Sequence, residues 1–175
     1  MEIDTVLERF RINRNLPYGR YRLSAVFEGI EDSPPMSRLL QENSNLRLDS
    51  VEVEITEGVL YMRVDAEGRL LINREYLRNG DEKHIYLDLI HELTHLKQLR
   101  EGRDIYSPEY SYAERPTELE AYANAVSEAR RIGMSDREIY EYLKVEWISK
   151  VELDKLAERL GVNRRFSEYF KHRRS

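Results

Sequence analysis

The chain has 175 residues, of which 41% are hydrophobic, 35% are charged and none is cysteine. That length and apolar content suit a folded domain with a real core and exclude a disordered composition. The lack of cysteine excludes disulfides, thiolate metal sites and thiol catalysis, so any zinc site must draw on His, Asp and Glu. A net charge of −5 argues against a protein that coats nucleic acid, since phosphate binding needs a cationic surface. No apolar run approaches the ~20 residues needed to cross a bilayer, and the opening residues lack the apolar stretch of a signal peptide, so no membrane partner and a cytoplasmic location are expected. Abundant charge of both signs also fits a thermophile protein, in which ion-pair networks gain value.

Along the chain, Leu7, Phe10, Ile12 and Leu16 are spaced for a short helix that stops before Pro17. Tyr18 to Ile30 mixes aromatic residues with glycine and reads as extended. Ser33-Pro34-Pro35 breaks the chain, and Met36 to Asn43 reads as a short helix. The period then changes. Val51, Val53 and Ile55 alternate with Glu52 and Glu54, the pattern of a half-buried strand whose glutamates face solvent. Val59 to Val64 and Leu70 to Asn73 read as two more strands, set off by turns at Glu57-Gly58 and Ala66-Glu67-Gly68. Short turns between successive strands predict an antiparallel meander.

Asp81 to Arg100 reads as a long helix closed by Gly102, followed by a polar loop rich in tyrosine. Thr117 is placed to cap a helix running from Glu118 to Ile132, which Gly133 stops. Ser135 with Glu138 and Ser149 with Glu152 have the capping-box spacing of two further helices, the second ending at Gly161. The stretch from Asn163 reads as short, helical and basic. Trp147 is expected as a core anchor.

The chemistry centres on His91-Glu92-Leu93-Thr94-His95. Residues four apart share one helical face, so both imidazoles can reach one zinc ion, and the ion keeps a position for water. Glu92, beside the first ligand, can act as the catalytic base that takes the proton from that water. At about 100° per residue, Ile85, Leu89, Ile90, Leu93, Leu96 and Leu99 form the apolar stripe of the helix. His91 and His95 point away from that stripe, with His84 and Gln98 on their side as cleft-lining candidates. His84 is two turns from His91, about 10 Å along the axis, too far to share the ion.

A third ligand must come from elsewhere, because no third histidine follows the motif closely and His172 lies in the tail. Glu118 and Glu120 are the candidates. Glu118 shares a face with Ala121, Tyr122, Ala125, Val126 and Ala129, whereas Glu120 falls among Asn124, Ser127 and Glu128. Periodicity therefore favours Glu118 as the inward-facing ligand. The plainer explanation is that both are exposed first-turn acids favoured by the helix dipole.

An HELTH helix followed by a helical Glu-x-x-Ala resembles the gluzincin zinc metallopeptidases in their minimal single-domain forms, over residues 69–130. The resemblance implies one zinc ion held by His91, His95 and Glu118, with Glu92 as general base and acid, acting on a peptide or protein substrate. It implies that Leu70, Leu71, Ile72 and Asn73 form a strand that pairs with extended substrate. It also implies an oxyanion-stabilising group, for which Tyr112, Tyr110, Tyr106 and His84 are the candidates. Tyr122 stands where many members carry Asp or Asn four residues after the glutamate ligand.

The resulting expectation is an α+β fold with a small antiparallel sheet, a zincin-like active-site helix and a glutamate helix in residues 1–133, and a C-terminal helical extension in 134–175. The expected function is a zinc-dependent metallopeptidase that hydrolyses peptide bonds with Glu-activated, zinc-bound water. The alternative is a regulatory protein with a peptidase-like sensor or protein-binding domain. In that case nucleic acid would meet a basic C-terminal helix-turn-helix, read from Leu156 to Asn163 with Arg164, Arg165, Lys171, Arg173 and Arg174 beyond.

Overall fold

The computed structural model describes residues 5–42 and 46–164 and is mixed α+β. Its chain contacts separate two units, Met1–Ile105 and Tyr106–Ser175. The first contains, in order, α1 (Thr5–Arg9), β1 (Arg11–Ile12), β2 (Gly19–Arg22), α2 (Leu23–Val26), β3 (Phe27–Glu28), α3 (Pro34–Glu42), β4 (Glu52–Thr56), β5 (Met62–Val64), β6 (Leu70–Asn73), α4 (Arg74–Asn79) and α5 (Glu82–Arg100).

The helix expected over Leu7 to Leu16 is cut short. Arg11 and Ile12 pair antiparallel with Glu28 and Phe27 instead, and the Asn13 amide donates to the Val26 carbonyl at 2.8 Å. Gly29 lies at φ 86°, and a Cβ there would sit 2.5 Å from the Arg9 carbonyl oxygen, so only glycine fits this approach. The Tyr18–Ile30 segment is extended at β2 and β3 but forms a helical turn, α2, between them.

The four-stranded sheet has the order β2-β4-β6-β5, with β2/β4 and β5/β6 antiparallel and β4/β6 parallel. This corrects the simple meander. Within β6, Leu70 and Ile72 are buried, and Arg69 beside it reaches Glu52 at 3.0 Å and Glu54 at 3.2 Å on β4. β5 is three residues long with an exposed Arg63, which suits an edge. The β5–β6 hairpin closes through Asp65, whose amide donates to the Arg69 carbonyl at 2.9 Å and whose Oδ1 accepts from the Glu67 and Arg69 amides at 3.0 and 2.8 Å.

Residues Arg74–Asn79 form α4, a helix not expected from the sequence. Asn73 starts it by accepting from the Tyr76 amide at 2.9 Å, while its own amide nitrogen donates to the Val59 carbonyl at 2.8 Å. Arg14 ends it: one guanidinium nitrogen donates to the carbonyls of Leu77, Arg78 and Gly80 at 3.3, 3.4 and 2.8 Å, where a cation also meets the negative end of the helix dipole. Asp81 then caps α5 by accepting from the His84 amide at 3.1 Å. α5 is buried along most of its circumference, with Tyr86 and Leu87 joining the expected apolar stripe.

The second unit contains α6 (Pro116–Arg131), α7 (Asp136–Leu143) and α8 (Lys150–Arg159). α6 starts at Pro116 with Arg115 as its N-cap, so Thr117 lies inside the helix and does not cap it; the fixed φ of proline favours the first helical position. The capping boxes Ser135/Glu138 and Ser149/Glu152 both form. α8 buries Leu153, Leu156 and Ala157 against α7 and the turn Tyr112–Glu114. Trp147 is not a core anchor; it is 46% exposed and meets Tyr112 edge to face at 5.8 Å. Asn163 and Arg164 are not helical, and Arg165, Phe166, Phe170, Lys171, His172, Arg173 and Arg174 lie outside the described residues. Among the described residues, no helix is long and apolar enough to cross a membrane.

Asp136 ties the end of α8 back to the unit. It accepts from the Asn163 amide at 2.9 Å and from Arg130 at 2.7 Å, while Arg130 also donates to the Gly161 carbonyl at 2.7 Å. The Asn163 amide, helped by Arg130, holds the Asp136 carboxyl below its ordinary value against the effect of burial. A depressed carboxylate pKa gives stability that is present above the unfolded value and lost as pH falls through the folded one. Acid titration followed by Trp147 fluorescence should therefore show this unit loosening below about pH 4, and Asp136→Asn should remove that part of the acid sensitivity.

Candidate metal centre

The histidines of α5 fall together because they are one turn apart. His91 Nε2 and His95 Nε2 are 3.0 Å apart, with the rings edge to face at a centroid distance of 4.7 Å. His95 Nδ1 lies 2.8 Å from Oε1 of Gln98, which is fully buried. An amide oxygen can only accept, so Nδ1 carries the hydrogen and Nε2 keeps its lone pair for the other side. Gln98 is thus an orienting partner, not the cleft-lining group its helical position suggested. Both imidazoles are buried, so the face that periodicity assigned to a cleft is covered as well.

One nitrogen of each histidine and one Glu118 carboxylate oxygen lie within 4.8 Å of one another, and the three buried residues could hold a metal ion. Glu118 is 6% exposed on the face of α6 that also buries Ala121, Tyr122, Ala125, Val126 and Ala129, while Glu120 is only partly buried. Of the two glutamates weighed from the sequence, Glu118 is the one in this group. Glu128, expected with Glu120 on the solvent side, is buried and bonded to Arg131.

The donor set fits a zinc-type ion. Zinc–nitrogen bonds of about 2.0–2.1 Å in a tetrahedron put neighbouring ligand atoms about 3.3 Å apart, close to the 3.0 Å between the two Nε2 atoms. The Glu118 carboxylate would supply an oxygen ligand to such an ion. Gln98→Ala is expected to weaken zinc binding by about tenfold to a hundredfold, as is usual when a ligand's orienting partner is lost, in competition titrations with a chelating dye. Gln98→Glu, which keeps the acceptor, should hold the affinity.

Glu92 lies next to the first histidine, 9% exposed, and its Oε2 accepts from the backbone amide of Val64 on β5 at 3.1 Å. Sequence reasoning missed this contact, because no side-chain pattern announces a backbone donor. It also missed Asp88, one turn before His91, which accepts from the Tyr76 hydroxyl. Burial and the Asp88 carboxylate push the Tyr76 phenol well above the usual tyrosine range, so it stays a donor.

His84 is at the start of α5, outside the three-residue group. Tyr106 and Tyr110 are 44% and 45% exposed. Tyr112 Oη is 2.7 Å from Tyr122 Oη, on α6 one turn beyond Glu118. Leu70 to Asn73 cannot be the strand that receives substrate, because β4 and β5 occupy both of its edges. Known protein families, curated proteins and solved structures contain no match to the chain.

Proposed function

We propose that this protein is a zinc-dependent metallopeptidase of the gluzincin type that hydrolyses peptide bonds. The observation that supports the reading most is the approach of His91, His95 and Glu118 to one another, with a carboxylate, Glu92, next in sequence to a ligand. His91, His95 and Glu118 would hold the ion. When bound, zinc supplies the Lewis acidity that makes water a nucleophile at neutral pH and polarises a carbonyl. Glu92 takes the proton from the attacking water and returns it to the departing amine. Tyr112 is the favoured oxyanion donor among the tyrosines. Its hydroxyl is held by Tyr122, on the same face of α6 as Glu118, and a preplaced hydroxyl can meet the charge that develops on the carbonyl oxygen. The strand offered to an extended substrate is β5, the edge next to β6.

The direct test is hydrolysis of a quenched fluorescent peptide library. Cleavage should be abolished by a zinc chelator and restored by added zinc. Cleavage indifferent to the chelator, or no cleavage by zinc-loaded protein, would end the peptidase reading.

A further inference from the structure

The β5/β6 ladder decides which backbone groups of β5 face outward. The Asn73 amide donates to the Tyr61 carbonyl at 2.8 Å and the Asp65 amide to the Arg69 carbonyl at 2.9 Å. With Met62 opposite Ile72 and Val64 opposite Leu70, the bonded positions are 61, 63 and 65. Met62 and Val64 therefore turn their N–H and C=O groups away from β6. The Val64 N–H is the one that reaches Glu92, at 3.1 Å.

We propose that the outward backbone N–H of Val64 is a positioning group for Glu92, fixing the base on the same edge strand that receives substrate. The proposal rests on the peptidase reading above. A glutamate side chain has three rotatable bonds, and a base that wanders by an ångström loses much of its effect. A charge-assisted bond from a backbone donor restrains the carboxylate through Oε2. The donor is itself rigid: β5 is bonded to β6, and the Val64 side chain is 1% exposed. The strand thereby sets base and substrate in one frame. Because the Val64 N–H is already engaged, pairing offered to a peptide on this stretch falls to the N–H and C=O of Met62.

The backbone can be tested apart from the side chain. Replacing the Val64 amide with an ester in the full chain removes the N–H and keeps the isopropyl group. Val64→Ala keeps the N–H and removes packing. The ester protein is expected to lose kcat about tenfold or more, the usual scale for a hydrogen bond to a charged group, with KM and zinc affinity within about twofold of wild type. Val64→Ala, which keeps the N–H, should lose thermal stability and fall less in kcat than the ester protein. Since the ester also weakens the Arg63 carbonyl as an acceptor, melting curves accompany the kinetics. A readout free of turnover is amide exchange at Val64 in the metal-free protein, which should speed up at least about tenfold in Glu92→Ala. Unchanged kcat in the ester protein, an equal fall in Val64→Ala, or unchanged Val64 exchange in Glu92→Ala would overturn the assignment. Wild-type protein that holds zinc but cleaves nothing would instead sink the peptidase reading, and the positioning role with it.

Discussion

Glu92→Gln is expected to keep its zinc and to lose at least about a hundredfold in peptide turnover, the lower range for a positioned general base. The substitution is nearly isosteric, and an amide oxygen can still accept the Val64 N–H. The 3.1 Å contact to β5 can therefore survive, and the fold with it. What disappears is the ability to accept a proton from water. The fall should appear in kcat far more than in KM, because the proton moves only on the way to the transition state. Steady-state kinetics on zinc-loaded wild type and variant check this. Equal turnover would remove Glu92 from the mechanism, whereas a variant that no longer bound zinc would point to a structural role.

His95→Ala should abolish the zinc-dependent rise in melting temperature. An ion that binds only the folded chain stabilises it by about 2.7 kcal/mol at a free concentration one hundred times its Kd. Both ring nitrogens of His95 have close neighbours: its Nε2 is 3.0 Å from His91 and its Nδ1 2.8 Å from Gln98. Its loss would remove a proposed ligand and leave the buried Gln98 oxygen without that neighbour. The penalty in zinc affinity should exceed the tenfold to hundredfold expected for loss of Gln98 alone. Calorimetric scans with and without zinc measure the shift in both proteins; a shift of the same size in His95→Ala would contradict the ligand assignment.

The parts of the fold that the sequence disclosed are those with a local cause. The spacing of His91 and His95, the small-residue face around Glu118, and the two serine–glutamate capping boxes each depend on one helical period. The strand over Leu70 to Asn73 was readable from its residues as well. Its neighbours were not, because order in a sheet depends on which strand is apolar enough for the interior. Leu70 and Ile72 take the central place, and β5 with its exposed Arg63 is left at the edge. The same limit explains the misreading of Leu7 to Leu16. Its spacing suits a helix, but Ile12 gains a ladder partner in Phe27, fifteen positions away. Gln98 was the nearest miss: its place three residues beyond His95 marks a neighbour on the helix surface, though nothing local reveals that it is buried and turned toward the ring.

The measurement closest to the centre of this account is metal content by elemental analysis of the purified full chain, beside His91→Ala and Glu118→Ala, each matched for folding by circular dichroism. Wild type should hold one zinc per chain after dialysis, and each variant should retain little. Full zinc in Glu118→Ala, or none in wild type supplied with the ion, would contradict the convergence of these three side chains on a single site.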